Sequence, residues 1–109
     1  MAFDEVLASR IRSLVSRKKG FSDKRMFGGI GFLLNGNMCV GVFKDWLIVR
    51  LDKDHHDETL TEPHTRPFDI TGKVMKGWAM IEPDGSSSVP ALKGWIDRAA
   101  RFVHSLPAK

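Results

Sequence analysis

The residue types able to do chemistry in this 109-residue chain are four histidines, a single cysteine and a glycine-rich stretch beside a basic one. His55 and His56, with Asp52, Asp54, Asp57, Glu58 and His64 close by, have the look of a metal-ligand cluster. Neighbouring residues on a helix diverge by about 100°, so His55 and His56 do not share an ion as a His-x-x-x-His pair does. Asp52 and His56 are four apart and share a face, but four ligands in a closed set are not specified. This stretch therefore predicts a solvated polar helix and no metal, with His104 on the surface of a later helix. Cys39 would serve as a nucleophile only with a stabilised thiolate and a base beside it. Its place among Met38, Val40 and Val42 predicts a packed thiol instead. The carboxylates form no isolated pair in an apolar setting of the kind that general acid–base catalysis uses. No catalytic residue and no cofactor are expected.

Gly28-Gly29-Ile30-Gly31 invites a phosphate-loop reading, because glycine lets backbone amides approach an anion. A Walker loop needs its lysine and hydroxyl residue at the start of a helix, whereas Phe32, Leu33 and Leu34 continue a strand. These glycines predict a bulge or close strand–helix packing. Seven cations, Arg10, Arg12, Arg17, Lys18, Lys19, Lys24 and Arg25, fall in the first quarter against Asp4, Glu5 and Asp23. Lys18, Lys19, Lys24 and Arg25 are the candidate contacts to nucleic acid, where binding would be salt-dependent and poor in sequence information. The same residues read equally as the solvated face and end of a helix. A net charge of +4 permits an anionic partner without demanding one.

These residues must be positioned by a scaffold. Composition is ordinary for a globular chain, 42% hydrophobic and 28% charged, and the length suits one domain spanning residues 1–109. The lone cysteine excludes an internal disulfide, and no apolar run approaches the roughly 20 residues of a membrane-spanning helix. The acidic start, Asp4 and Glu5, describes neither a secretory signal nor a transit peptide, so a cytoplasmic, unprocessed protein is expected. Phe3, Val6, Leu7, Ile11, Leu14 and Val15 recur at helical spacing and predict a first helix ending near Lys18 and stopped by Gly20. From Arg25 to Leu51 short apolar runs are punctuated by glycines and by Asn35-Gly36, the pair that a type I′ turn favours. Three antiparallel strands follow, about Met26–Leu34, Asn37–Phe43 and Trp46–Leu51.

In the third, Leu47, Val49 and Leu51 share a clean apolar face that should carry the helices. Trp46, Ile48 and Arg50 share the mixed one. Asp52 caps a short, mostly exposed helix before Pro63. Pro67, Phe68 and Ile70 form a brief edge strand, and Gly77–Glu82 a second strand after the Thr71-Gly72-Lys73 turn. Ser86-Ser87-Ser88 and Pro90 open a last helix, where Leu92, Trp95, Ile96, Ala99, Phe102, Val103 and Leu106 repeat at helical spacing and Lys93–Asp97 and Asp97–Arg101 pair on the wet side. The sum is a two-layer α+β domain in the order α-β-β-β-α-β-β-α with an antiparallel sheet.

At Met26-Phe27-Gly28-Gly29-Ile30-Gly31-Phe32, then Asn35-Gly36, Pro67-Phe68 and Met75-Lys76-Gly77-Trp78, the chain resembles the N-terminal domain of the TfoX/Sxy competence regulators. The resemblance covers nearly the whole chain, as a stand-alone copy of that domain. It implies an α+β fold of the secretion-chaperone type, with those motif residues serving the fold. It also implies a bacterial regulatory role, since the best-known members act with a cyclic-AMP receptor protein at competence promoters. The family offers no catalytic residues to carry over.

Three functional expectations follow. The first is a non-enzymatic domain acting through protein partners or as a homodimer. Trp46 and Ile48 are its candidate interface, because helices sharing one layer leave their sheet face uncovered. The second is direct nucleic-acid binding through the basic N-terminal face. The third is a small ligand-binding protein or enzyme with a pocket near Gly28–Phe32 and Cys39.

Overall fold

The computed structural model describes residues 3–26, 28–69 and 72–108. Asp4 starts the first helix, α1 (Glu5–Val15), by accepting the amides of Val6 and Leu7 on Oδ1 at 2.9 and 3.1 Å. These would otherwise be orphan donors of the first turn. The helix ends at Val15, short of the expected Lys18: the cationic run departs in turns, and Lys18 swings to within 3.8 Å of Asp97. Four strands come next: β1 (Phe21–Met26), β2 (Gly29–Leu34), β3 (Asn37–Phe43) and β4 (Trp46–Arg50). A single 3-10 turn (Lys53–His55) leads into a one-turn helix, α2 (His56–Thr59). Then come β5 (Thr65–Pro67), β6 (Trp78–Ile81) and a long last helix, α3 (Val89–His104). The order is helix, strands, helix, strands, helix, an α+β arrangement with one antiparallel sheet, β1-β2-β3-β4-β6-β5.

The expected strand Met26–Leu34 is in fact two, so four strands rather than three precede the short helix. The extra one, β1, reads Phe-Ser-Asp-Lys-Arg-Met, and Ser22 to Arg25 are all exposed. A free edge strand studded with charge resists pairing with other chains, and the same charge hides it from an apolar-alternation reading. Asn35 and Gly36 turn the β2–β3 hairpin with φ of 54° and 84°, the doubly positive pair that the I′ geometry requires. β5 begins two residues before the expected Pro67, while Ile70 and Thr71 lie outside the described residues.

One face of the sheet carries the core. Ile30, Phe32, Leu34, Val40, Val42, Leu47, Val49, Ala79 and Ile81 meet Leu7, Ala8, Ile11 and Val15 of α1 and Leu92, Trp95, Ile96, Ala99 and Val103 of α3. Val6, placed on the apolar stripe by its spacing, points outward and is 70% exposed. A bulge falls in β3: partners run from Phe32↔Val40 to Leu33↔Met38, so Cys39 is the extra residue and turns into the core with Val40. α3 begins as its serines predict, with Ser88 Oγ accepting the Ala91 amide at 3.2 Å. Lys93 bonds Asp97 at 2.6 Å, but the second partner of Asp97 is Lys18 rather than the expected Arg101.

Asp52 caps the turn before α2, and most of the stretch from Asp52 to Thr61 is exposed as expected, with two exceptions. His56 and Thr59 are buried, and His56 Nδ1 accepts the Gly77 amide at 3.1 Å. Gly77 sits at φ 89°, and a Cβ there would stand 2.7 Å from the Leu51 carbonyl oxygen, so only glycine fits.

Candidate functional site

Alternation sends every second residue of each strand away from the helices. The register carries one row of cross-strand partners over all six strands: Lys24, Gly31, Gly41, Ile48, Met80 and Arg66. A parallel row holds Phe43 opposite Trp46, and another holds Leu33 opposite Met38 and Arg50 opposite Trp78. α1 and α3 pack on the other side, so among the described residues no helix covers this face. Its large side chains cover one another instead. Ile48 is 4% exposed and Met80 9%, the Met38 methyl lies over Gly41, and Leu33, Phe43, Trp46 and Trp78 are half-buried.

Cations lie over the rings. The Arg50 guanidinium is 5.3 Å from the Trp78 ring centre, that of Arg66 is 5.8 Å from Trp46, and Lys44 Nζ is 5.6 Å from Phe43. Contacts of this kind are worth about 0.5–1 kcal/mol at exposed sites. Phe68 stacks on Trp78 with ring centres 5.8 Å apart at 35°. Arg66 is fixed by Glu82, Nε to Oε1 at 2.8 Å, and His64 Nδ1 stands 3.7 Å from the other carboxylate oxygen. The hydrogen bond from Arg66 holds the Glu82 carboxyl below its ordinary range, with His64 adding to the effect. The whole is an apolar and aromatic surface with cationic side chains laid over it.

Of the two residues expected at an interface, Trp46 is on this surface, but Ile48 is buried in it by its neighbours and presents almost nothing to a partner. Phe43, Met38, Arg66 and Trp78 belong to the face and were not expected there. Alternation in β3 could have shown Phe43, but it places Met38 with Val40 and Val42, and only the bulge at Cys39 turns Met38 to this face, whereas Arg66 and Trp78 join only through the β5–β6 and β4–β6 pairings.

The basic residues of the first quarter do not converge. Lys24 is exposed on the helix-free face, while its neighbour Arg25 points to the other side, over the Phe3 ring at 5.0 Å and 3.6 Å from Glu5. Arg12 bonds Asp23 at 3.2 Å, Lys18 faces Asp97, and Lys19 is exposed in the turn. The glycines serve close strand approach rather than strand–helix packing: Gly31 and Gly41 are direct partners, and a Cβ on Gly29 would overlap the Val42 carbonyl. Gly28 occupies the β1–β2 turn, and Phe27 lies outside the described residues.

Cys39 is fully buried, and burial pushes its thiol up to about 12, with Arg50 acting weakly in the opposite sense. A thiol so placed is neither ionised at neutral pH nor reachable. Among the described residues no three histidine, cysteine or acidic side chains converge as a metal site. His55 meets Glu58 at 3.5 Å, and His64 meets Glu82. A groove of about 560 Å³ runs between α2 and the end of α3. Glu62 and Arg98, both in its wall, are joined by two bonds of 2.9 and 2.8 Å.

The family model of the TfoX N-terminal domain matches residues 13–103. The chain belongs to the TfoX N-terminal domain family. In this member of the TfoX N-terminal family the motif residues are divided between hairpin geometry and the free face. Asn35-Gly36 makes a turn, Gly77 is clasped by His56, and Phe68 and Trp78 stack on the face. Pro67 ends β5, and Met75 and Lys76 are exposed just before β6. No curated protein and no solved structure matches the chain. Among the described residues no helix is long and apolar enough to cross a membrane.

Proposed function

We propose that this domain is a non-enzymatic, cytoplasmic regulatory module that acts in the control of gene expression or competence by docking a protein partner on its helix-free sheet face. The observation that carries the reading is the gathering of Trp46, Trp78, Phe43, Met38, Arg50 and Arg66 on that one face. Tryptophan, methionine and arginine are enriched at protein interfaces, and tryptophan and arginine at their energetic centres, because they offer large contact area and, in arginine, a planar multi-donor group that also stacks on rings. Family membership supports the regulatory part, and the buried, protonated state of Cys39 supports binding over covalent chemistry. Direct nucleic-acid binding by Lys18, Lys19, Lys24 and Arg25 has weaker support, since these cations divide between two faces and Lys18 and Arg25 have acidic partners.

Trp46→Lys and Phe43→Lys place a charge on the face at half-buried positions outside the helix-covered core. In cells carrying a competence-gene reporter, each variant is expected to drop expression to the level seen without the protein, at equal soluble amounts. The double reversal Arg17→Glu with Lys19→Glu, in the exposed turn after α1, is expected to leave it unchanged. Full expression with both lysine variants overturns the reading, and loss only with the double reversal transfers it to nucleic-acid contact.

A further inference from the structure

We infer that the partner segment received by the free face is acidic at both ends and apolar between, and is not a second copy of this chain. The inference rests on the docking reading above. The row Lys24, Gly31, Gly41, Ile48, Met80, Arg66 begins and ends on an exposed cation, with apolar or side-chain-free positions between. Five inter-strand steps of about 4.8 Å make the row about 24 Å long, the reach of about seven extended residues. Lys44 and Arg50 flank it over Phe43 and Trp78. Against these four cations the described residues of the face and its turns offer three carboxylates: Glu82, already engaged by Arg66 and His64, Asp45 in the β3–β4 turn, and Asp69 in the β5–β6 connection, which also carries Lys73 and Lys76.

A two-fold dimer through this face would set the cations of one copy against those of the other, which costs free energy without compensation. A segment with acidic residues about seven positions apart meets Lys24 and Arg66, whose guanidinium keeps donors beyond the Nε given to Glu82. Its apolar centre covers the half-buried rings. Phosphates would answer the same cations, but among the described residues Phe43, Trp46 and Trp78 already lie under a cation and Phe68 is packed on Trp78, which leaves little ring surface for a base to stack on. A protein segment is therefore the better fit.

The test is fluorescence anisotropy with a labelled peptide of about ten residues that carries glutamates at both ends and leucine and phenylalanine between. Its controls are the lysine-ended counterpart and a single-stranded DNA of similar length, with sedimentation equilibrium run alongside. The glutamate-ended peptide is expected to bind at least about tenfold more tightly than the lysine-ended one at low salt and to weaken as salt screens the cations. Lys24→Glu with Arg66→Glu is expected to invert that order in a protein that still unfolds cooperatively and stays monomeric, its midpoint lowered only by the loss of the exposed Arg66–Glu82 pair. Equal binding of both peptides, removed by Trp46→Lys, overturns the charge inference and leaves the docking reading standing. Binding of neither peptide, tighter DNA binding lost in the double variant, or a dimer broken by it, each overturns the inference. The docking reading stands or falls separately, on the reporter experiment.

Discussion

The two faces of the sheet are built from the same strands by the same alternation, yet they use their side chains differently. Toward the helices lie Ile30, Phe32, Val40, Val42, Leu47, Val49 and Ile81, closed by α1 and α3. Away from them lie two glycines in register, two methionines, two tryptophans and four cations. The first face is held by shape and area removed from water, and nothing in it is left to recognise a partner. The second buries its centre only by leaning neighbours together and leaves its rings half-open under charged side chains. On the proposed reading, stability belongs chiefly to one face and recognition to the other.

The sharpest way to break that contrast is to truncate one phenylalanine on each. Phe32 is 1% exposed in the core, and Phe32→Ala is expected to cost about 3–5 kcal/mol of unfolding free energy through lost transfer and a residual cavity. Phe43→Ala, half-buried on the free face with room for water to fill the gap, is expected to cost about 1–2 kcal/mol. Urea unfolding of the two variants compares them directly. Equal losses would mean that the free face is a second core, and the division of labour would fail.

How far this contrast was legible in the sequence depends on which pairings are local. The hairpin at Asn35-Gly36, the clean face of Leu47, Val49 and Leu51, and the stripe of α3 all follow from turn chemistry and period, and all are present. β1 was not legible, because an edge strand made of Ser, Asp, Lys and Arg carries no apolar alternation. Arg66 and Trp78 come to the site from a segment joined to β4 only across the sheet, a long-range pairing that periodicity does not encode. Ile48 was placed correctly on its face but wrongly as accessible. Its burial comes from neighbours on other strands, which single-strand alternation cannot show.

A smaller effect is expected where the free face is anchored to α2. The Gly77 amide, in the motif just before Trp78, donates to the buried His56 Nδ1, so the proton of the neutral ring sits on Nε2. His56→Ala leaves that amide without its acceptor and is expected to cost about 1–3 kcal/mol. Gly77→Ala acts on the same joint by steric conflict with the Leu51 carbonyl. If this joint positions Trp78, both variants should also shift tryptophan emission at the free face, whereas Phe32→Ala should not do so while folded. A stability loss with unmoved emission would reduce the joint to a local fastening.

The smallest effect separates the faces by pH. Glu82 at the margin of the free face is held below its ordinary carboxyl value of 4.5 by the hydrogen bond from Arg66, then by His64. A carboxylate lowered in the folded state binds fewer protons there than in the unfolded chain, so its stabilising contribution is present above that ordinary value and is lost as pH falls through the lowered one. Wild type should therefore lose more stability between neutral pH and about pH 3 than Glu82→Gln, the difference shrinking with added salt because the pair is solvent-exposed. Unfolding midpoints of both proteins across that range measure it. The two curves should converge at the acid end, where neither protein retains the charge. Parallel curves would show that Arg66 lies over Trp46 by ring contact alone, which would leave its guanidinium unencumbered for an incoming acidic segment.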